Sequence, residues 1–439
     1  MTEPTRYQEA LDYIYSFVDY SLTKNLRYSP EKFNLSRMYR FLELIGNPHQ
    51  DYATIHVAGT KGKGSICAMI SSILSHSGYI TGFYSSPHMI YFTERIRIGD
   101  QLISQKEIAD YVDYLKPFID QVEQITTFEI TTALAFKYFS DQKVDFAVIE
   151  VGLGGRFDAT NVITPKVSVI STISFDHTKI LGNTLSKIAF EKSGIIKNNV
   201  PVVVSRQKRT AMKMIQSIAQ ERSAPLIDTN ESYRVTSGQR TLDYQEFMIQ
   251  NSSTSTDWIR LPLIGSHQLE NARTAYAVIN ELHDQGVKIS AAAVKQGFEQ
   301  VDWPGRLEIL QRDPLVIIDG AHNPDSFRNL VRTIKEYLTD RKVIFILGAS
   351  EDKNILTMMQ IIKPVVDHLI ITKSTHPRAM DIEKIQALAD TIGISSVCVE
   401  KVEDAKVKAE SLSNENSVII AAGSIFIAGA LREMFIKNV

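Results

Sequence analysis

A glycine-rich stretch around residue 60 constrains the fold of this chain more than any other feature. Residues 54–58 predict a short buried strand, and Gly59, Gly62 and Gly64 follow within the next six positions. Apolar side chains then recur at helical spacing until Gly78, a residue type that readily ends a helix. A strand, a glycine loop and a helix in this order aim backbone N–H groups at one point. Such a point suits a phosphate.

The match to the standard phosphate-loop pattern is incomplete. Val57 stands where that pattern has its first glycine, and Gly64 separates Lys63 from Ser65, although the pattern places these two side by side. An ordinary strand-to-helix turn is therefore the alternative, but glycines interleaved with lysines would pack poorly in a mere turn. We predict that Lys63 supplies a mobile positive charge for the outer phosphates of a nucleotide.

Composition narrows the classes of function. The length of 439 residues predicts two or three domains, and 44% hydrophobic and 22% charged residues are typical of globular proteins. A net charge of −2 argues against broad binding of nucleic acid or anionic membranes. Cys67 and Cys398 predict neither a disulfide framework nor a cysteine metal site. With no apolar run that could span a membrane and no signal-like start, we expect a cytoplasmic protein.

The segments after the glycine loop predict a parallel sheet. A second strand over 80–84 completes a βαβ unit, and a strongly apolar strand over 146–151 carries Glu150 near its carboxyl end. Because ligands bind at the carboxyl ends of such strands, Ser86 and Glu150 are expected beside the glycine loop. A carboxylate there is the usual magnesium partner in nucleotide enzymes. A surface glutamate at a strand end is the alternative.

Further candidate residues follow in the same half of the chain. The glycine-rich run 152–161 lacks the spacing of a dinucleotide fingerprint and indicates a loop close to a ligand. His177 follows a strand over 167–172, where a metal or phosphate role and a structural role both stay open. Lys192 lies near the end of a helix, and its charge could simply favour the helix dipole.

A domain boundary is predicted near residue 301. Before it, residues 232–262 are polar and alternating and suggest short antiparallel strands at an edge. After it the alternation of strands and helices restarts, which predicts a smaller α/β domain with a parallel sheet. Its predicted strands are 315–319, 343–348, 368–373, 396–402 and 417–421. The predicted fold is therefore α/β. Residues 1–300 form a phosphate-loop-type, mostly parallel sheet domain with a small antiparallel sheet, and residues 301–439 form a Rossmann-like domain.

In their order along the chain, these motifs resemble the folylpolyglutamate synthase family, including its bifunctional dihydrofolate synthase members. This family belongs to the Mur-ligase-like superfamily of ATP-dependent amide-bond ligases. The resemblance spans nearly the whole chain. Lys61 is one difference, because many bacterial members have asparagine there. The matching segments are 56–65, 85–88, 94–96, 127–129, 150–161, 176–177, 191–196, 304–306, 319–324 and 423–424.

The resemblance implies a nucleotide and metal site. Magnesium, as two ions, would lie among Ser86, Glu150 and His177, with potassium as a further candidate cation. Lys192 matches a lysine that is carbamylated in the family, and carbamylation turns a cation into a carboxylate-like metal ligand. The implied ATP contacts are Gly59, Thr60, Lys61, Gly62, Lys63, Gly64, Ser65, Asn271, Arg306 and Asp319.

The resemblance also implies the organic substrates, which are folate or dihydropteroate and L-glutamate. Phe128 and Asp158 would contact the pterin, although a core aromatic and a loop-capping carboxylate are their alternative roles. Neither nucleic acid nor a membrane is an expected partner, and a monomer is expected. The candidate contacts for glutamate are Arg95, His322 and Ser424. The residues expected to be catalytic are Lys63, Lys192, Asp319 and His322.

The implied reaction explains why such parts are needed. ATP would phosphorylate the γ-carboxylate of folyl-glutamate, and the amine of glutamate would then attack the acyl phosphate and displace phosphate. Dihydropteroate would offer a benzoate carboxylate to the same steps. Two rivals are considered: a ligase acting on a peptidoglycan precursor, and a nucleotide-binding protein without catalysis. The motif at 127–129 opposes the first, and the retained lysines, glutamate and histidines oppose the second.

Overall fold

The computed structural model describes residues 5–18 and 34–436. Within them the chain divides into two compact units. The first unit comprises the described residues of Met1–Ser237, Phe247–Arg260 and Gln268–Val301, and the second comprises those of Gly238–Glu246, Leu261–His267 and Asp302–Val439. In the described part of the chain, every helix is too short or too polar to cross a bilayer.

The first unit is built on a large sheet, which has eight strands among the described residues. The strands from β2 through β5, β1, β6 and β7 to β8 pair in parallel, and the β3–β4 hairpin adds an antiparallel edge beside β2. The order across the sheet is β4-β3-β2-β5-β1-β6-β7-β8. In chain order the strands are β1 (Ala53–Ala58), β2 (Thr81–Tyr84), β3 (Ile96–Ile98), β4 (Gln101–Leu102), β5 (Phe146–Glu150), β6 (Val167–Ile170), β7 (Val202–Val204) and β8 (Leu226–Asp228).

The central strands of this sheet are buried because helices cover it. All five residues of β5 are buried, and apolar clusters include side chains of the sheet and of the packed helices. Helix α5 starts at a capping box in which Thr126 and Glu129 exchange hydrogen bonds, as its sequence predicts. The helices are α1 (Arg6–Tyr15), α2 (Ser36–Leu44), α3 (Lys63–His76), α4 (Gln105–Ile119), α5 (Thr127–Asp141), α6 (Thr178–Leu181), α7 (Leu185–Ser193), α8 (Arg209–Glu221), α9 (Thr229–Ser232), α10 (Ser266–Asp284) and α11 (Ala291–Glu299).

The polar, alternating segment forms the small antiparallel sheet that its pattern predicts. The middle strand alternates buried and half-buried residues, which is the pattern of a strand with one covered face. The strands are β9 (Arg234–Arg240), β10 (Gln245–Gln250) and β11 (Ile259–Leu261).

The second unit contains a six-stranded sheet within the described residues, in the order β12-β13-β17-β14-β15-β16. All its neighbours pair in parallel except β12 and β13, which form an antiparallel edge. The strands are β12 (Glu308–Arg312), β13 (Leu315–Ile318), β14 (Lys342–Leu347), β15 (His368–Ile371), β16 (Ser396–Cys398) and β17 (Ser417–Ala422). The helices are α12 (Pro324–Tyr337), α13 (Ile355–Ile362), α14 (Ile382–Thr391), α15 (Val402–Leu412) and α16 (Ile425–Ile436).

The structure differs from the sequence prediction at a few elements. The C-terminal sheet is parallel as predicted except at one edge, where the half-exposed β12 has adjacent rather than alternating apolar residues and was not predicted. The strand expected to reach residue 402 ends at Cys398, and Val402 begins α15. The aromatic-rich, amphipathic pattern of residues 7–20 predicts a helix; the helix ends at Tyr15, and residues 19 and 20 lie outside the described part of the chain.

Candidate functional site

The glycine loop lies at the centre of the large sheet. It follows β1, whose neighbours are β5 on one side and β6 on the other. A Cβ on Gly59 would overlap Ser171 Oγ, and one on Gly62 would overlap Asn271 Oδ1. Gly62 also has a φ of +83°, which disfavours other residue types. The loop therefore needs glycine at both positions, and it brings Asn271, a predicted ATP contact, against its own backbone.

Backbone hydrogen bonds divide this loop into two parts. The N–H groups of Thr60 and Lys61 both donate to Thr172 O at 3.0 Å, so they point into the protein. Helix α3 starts at Lys63, two residues earlier than its apolar pattern suggests. The first N–H groups of a helix lack partners within the helix. The start of α3, including Gly64 and Ser65, is therefore the part of the loop that can donate to an anion.

A buried ion pair stands beside the loop. Lys63 Nζ lies 3.5 Å from Glu150 Oε1, and the side chains are only 17% and 7% exposed. Parallel pairing of β1 with β5 sets Val57 opposite Glu150, which brings the carboxylate to the loop. The pair thus joins a predicted phosphate ligand to a predicted metal ligand at the carboxyl edge of the sheet.

A second charged group follows β6 on the other side of the loop. Lys61 Nζ lies 3.5 Å from Asp176 Oδ2, and the backbone N–H of His177 donates to Asp176 Oδ1. His177 Nε2 lies 3.8 Å from Asp176 Oδ1, on a side chain that is 38% exposed. Asp176 therefore links the loop lysine to His177, for which a metal or phosphate role and a structural role both stayed open in the sequence.

Lys192 is buried against the same loop. Its Nζ donates to Gly59 O at 2.7 Å from the last turn of α7, and the residue is 6% exposed. Burial, reinforced by the positive charge of Lys63, lowers the pKa of the amine to about 7, although Asp176 acts in the opposite direction. With this pKa a substantial fraction of the amine is neutral near pH 7 and can act as a nucleophile, so Lys192 meets the chemical requirement for carbamylation.

Ser86 and Arg95 lie at the edge formed by β2 and β3. Ser86 follows β2, the neighbour of β5, and so shares the carboxyl edge with Glu150. Glu94 accepts hydrogen bonds from the backbone N–H groups of Met89, Ile90 and Tyr91 and thereby holds the loop between the strands. Arg95 Nε donates to His88 Nδ1 at 2.8 Å, which fixes the guanidinium beside this loop.

The glycine-rich run after β5 carries Asp158, and the ring of Phe128 lies over Gly152 at its start. Asp158 is 4% exposed, and its oxygens accept hydrogen bonds from the N–H groups of Leu153 and Thr160 and from the hydroxyl of Thr160. Burial raises the pKa of this carboxyl, while these hydrogen bonds lower it. Asp158 is thus a loop-capping carboxylate, the alternative role considered for it, and a pterin contact stays a prediction.

The predicted residues of the second unit gather around β13. Asp319 accepts hydrogen bonds from the N–H groups of Leu307 and Ala321, and His322 Nδ1 donates to Gly320 O at 2.8 Å. Arg306 lies close to Gly320, because a Cβ there would come within 2.5 Å of Arg306 Nη1. Ser424 is buried at the start of α16, where its Oγ accepts from Phe426 N. All four therefore lie at the carboxyl edge of this sheet.

Sequence analysis missed the residues that support the loops. Ser171 and Thr172 have no motif of their own, and Thr160 lies in the glycine-rich run 152–161 but was assigned no role there. All three gain their roles from contacts across the fold. His56 is the one that a signal could have identified, because a histidine interrupts the buried apolar strand β1. It is fully buried and contacts Thr160 Oγ1 through Nε2 at 2.8 Å.

The side chains beside the glycine loop include oxygen atoms that could bind Mg²⁺. Among the described residues no three His, Cys, Asp or Glu side chains gather closely enough to hold a metal by themselves. Mg²⁺ is usually held by one or two carboxylates together with phosphates and water, so such a cluster is not required. The Glu150 carboxylate and the Ser86 hydroxyl, at one sheet edge beside the loop, are oxygen donors of the kind that Mg²⁺ prefers.

Comparisons with known proteins cover nearly the whole chain. Residues 57–279 match the Mur ligase middle domain, and residues 305–425 match the Mur ligase, glutamate ligase domain. The dihydrofolate synthase/folylpolyglutamate synthase of Bacillus subtilis is 33% identical, over 98% of this chain and 99% of that relative. The structure of Mycobacterium tuberculosis folylpolyglutamate synthase complexed with ADP is 32% identical and has a TM-score of 0.89, over 97% of this chain and 99% of that one. E. coli FolC in complex with DHPP and ADP is 26% identical and has a TM-score of 0.87, over 99% of both chains.

Proposed function

The chain belongs to the dihydrofolate synthase/folylpolyglutamate synthase family of Mur ligases, and from this premise we propose how its residues carry out ATP-dependent ligation. The protein adds L-glutamate to the γ-carboxylate of a folyl-glutamate through an acyl phosphate. The observation that carries this proposal is the convergence of Lys63, Glu150 and Lys192 on the glycine loop at the centre of the sheet. Cations, a carboxylate and helix N–H groups meet there, as phosphoryl transfer requires.

The nucleotide is proposed to bind at the start of α3. The N–H groups of Gly64 and Ser65 would donate to the β- and γ-phosphates, and Lys63 would leave Glu150 to follow the γ-phosphate. Asn271, already packed on Gly62, would contact the nucleotide from the side of α10. Thr60 and Lys61 would act through their side chains, because their amides already donate to Thr172.

Magnesium is proposed as the metal, with Ser86, Glu150 and His177 as its protein ligands and potassium as a further cation. When bound, Mg²⁺ would neutralise phosphate charge as the phosphoryl group moves. Lys192 is proposed to be carbamylated, because its amine is buried and its pKa is low enough to leave a neutral nucleophile near pH 7. The carbamate would add a negative charge that partly neutralises the positive charges of Lys63 and Lys61.

For the organic substrates, we propose contacts within each unit separately. A folate or dihydropteroate carboxylate would meet the γ-phosphate, with Phe128 and Asp158 toward the pterin of dihydropteroate. The second unit, proposed to work as a glutamate ligase domain over residues 301–439, would contribute Arg306, Asp319, His322 and Ser424, and Arg95 would bind a glutamate carboxylate. The γ-carboxylate attacks the γ-phosphorus of ATP and releases ADP, and the neutral amine of glutamate then attacks the acyl carbon. Phosphate leaves, and the amine loses a proton.

Two activities are compatible with this arrangement. Folylpolyglutamate synthesis is the first. Dihydrofolate synthesis is the second, and the glycine-rich run that carries Asp158 and packs at Gly152 against the ring of Phe128 favours it. A peptidoglycan-precursor ligase is not favoured, because the folate enzymes match over the full chain. A monomer in the cytoplasm, with no nucleic acid or membrane as partner, is also proposed.

A substrate panel tests the proposal. ATP, magnesium and labelled glutamate are supplied with tetrahydrofolate, with dihydropteroate or with a muramyl-peptide precursor, and labelled product and ADP are measured. Product is expected with tetrahydrofolate and with dihydropteroate. The Lys63→Ala variant should make none, whereas Lys106→Ala, at a lysine whose side chain is 82% exposed, should match the wild type. Turnover of the muramyl precursor alone would reject the folate assignment.

A further inference from the structure

Three buried side chains form a hydrogen-bonded chain between β1 and the loop after β5. His56 Nε2 lies 2.8 Å from Thr160 Oγ1, and Thr160 Oγ1 lies 2.5 Å from Asp158 Oδ1. His56 and Thr160 have no exposed surface, and Asp158 is 4% exposed. The loop that carries Asp158 is therefore tied to a strand from which it is about a hundred residues distant in sequence.

The number of available protons determines which side chain donates in each of these two hydrogen bonds. Asp158 Oδ1 accepts from the backbone N–H of Thr160, and Oδ2 accepts from that of Leu153, as expected for an ionised carboxylate. The hydroxyl of Thr160 has one proton, which it donates to Asp158. Its oxygen must then accept from His56, so the His56 ring carries its proton on Nε2.

The surroundings of His56 agree with a neutral ring. Burial lowers the pKa of His56 well below its ordinary value, and the positive charge of Lys197 acts in the same direction. Nδ1 is buried without a hydrogen-bond partner, so a second ring proton would have no acceptor. The ring is thus a neutral donor toward Thr160.

The position of His56 connects these hydrogen bonds to the two loops of the candidate site. His56 lies three residues before Gly59, so one strand supports both the phosphate loop and the Asp158 loop. With 4% of its surface exposed, Asp158 can offer a ligand only one edge. Its own loop already takes part of the roughly four acceptor positions of a carboxylate. A small rotation of the Asp158 carboxyl group would therefore turn its one accessible edge away from a ligand.

We propose that His56 and Thr160 are positioning residues, which keep Asp158 ionised and oriented as a hydrogen-bond acceptor for the N–H groups of dihydropteroate. They thereby determine the preference of the enzyme for dihydropteroate over tetrahydrofolate, whose pterin must sit further from the γ-phosphate. This inference rests on the proposed function, in which Asp158 faces the pterin of dihydropteroate. Neither residue contacts the reacting atoms.

The test compares matched variants with three substrates varied in turn. Thr160→Val removes the hydroxyl and should raise the KM for dihydropteroate about tenfold, while Thr160→Ser should retain the wild-type value. His56→Leu should raise the same KM several-fold, and His56→Gln should restore much of the loss, because its amide can donate to Thr160. The KM for ATP and the kcat/KM for tetrahydrofolate should change by less than about twofold.

Two further measurements separate positioning from general damage. In the Asp158→Asn background, Thr160→Val should have no additional effect on the KM for dihydropteroate, because the two residues act through one contact. Nitrogen NMR of histidine-labelled protein, with His56→Gln to assign the signal, should show the proton of His56 on Nε2. Thermal unfolding of each variant reports whether the fold persists.

The outcomes are distinguishable. Equal increases in the KM values for ATP and dihydropteroate would overturn the inference, because they would mean that β1 is simply damaged. Thr160→Ser behaving like Thr160→Val, or a His56 proton on Nδ1, would also overturn it. Wild-type turnover of tetrahydrofolate but not dihydropteroate would reject the inference and leave the ligase function standing. Absence of turnover with both substrates would reject the proposed function itself.

Discussion

Replacing Lys192 by arginine is expected to abolish ligation although it preserves a positive charge. Lys192 is 6% exposed and donates to Gly59 O, and burial beside Lys63 lowers the pKa of its amine from 10.5 to about 7. A change of that size corresponds to about 5 kcal/mol against the ammonium form. At about pH 7.5 roughly three-quarters of the amine would be neutral, compared with about 0.1% for an exposed lysine.

The neutral amine is the form that reacts with carbon dioxide. Its lone pair forms the C–N bond, a proton leaves to solvent, and the product is a carbamate with one negative charge. The nitrogen keeps one hydrogen, so it can still donate to Gly59 O. Arginine cannot follow this route, because its guanidinium stays protonated throughout the accessible pH range.

Two readouts test this reasoning. Protein equilibrated with ¹³C-bicarbonate should show a carbamate signal that is absent in Lys192→Arg and present in Lys187→Arg, at an exposed lysine of the same helix. Because protonation removes the nucleophile, both the carbamate signal and the ligase activity should fall as the pH is lowered through about 7. Full activity of bicarbonate-replete wild type without a carbamate signal would refute the reasoning, as would an active Lys192→Arg variant.

Three further predictions concern the glycine loop. Lys63→Ala should lower kcat on the order of 100-fold or more, measured by ADP release, because it removes the cation predicted to follow the γ-phosphate; near-normal turnover would contradict this role. Glu150→Gln should raise the magnesium concentration needed for half-maximal rate, and an unchanged magnesium titration would count against a metal role. Gly62→Ala should destabilise the protein by about 1–2 kcal/mol or more in thermal or urea unfolding, because of its positive φ and its overlap with Asn271. Adding Asn271→Ala to the Gly62→Ala variant should relieve only the overlap. Complete recovery of the wild-type stability would therefore refute the contribution of φ.

Local signals allowed much of the first unit to be predicted from sequence. The strand, glycine loop and helix are contiguous, and Glu150 interrupts an apolar run, so each could be recognised within a few residues. Contacts between distant residues could not. Ser171 and Asn271 fill the space that the glycines leave open, and Thr172 binds the loop amides, but only the folded sheet brings these residues together. For the same reason the hydrogen bond that ties His56 to Thr160, about a hundred positions further along the chain, was not predictable.

In the second unit, strong apolar periodicity identified the buried parallel strands. The edge strand β12 was missed, because half-exposed residues carry little pattern. Packing, rather than propensity, pairs Glu308 with Ile318 in this antiparallel edge. The residues near Asp319 could be located from the end of β13, but the hydrogen bonds that orient its carboxylate depend on Leu307, which precedes β12.

Nucleotide binding at the glycine loop should carry a small penalty in conformational entropy. Ser171 and Asn271 already confine Gly59 and Gly62, and Thr172 O already holds the amides of the two residues between them. Ordering a free backbone residue costs about 1–2 kcal/mol, so restraining these four positions beforehand spares the ligand several kcal/mol. These contacts form only when the protein folds, and the stability of the domain therefore contributes to its affinity for ATP.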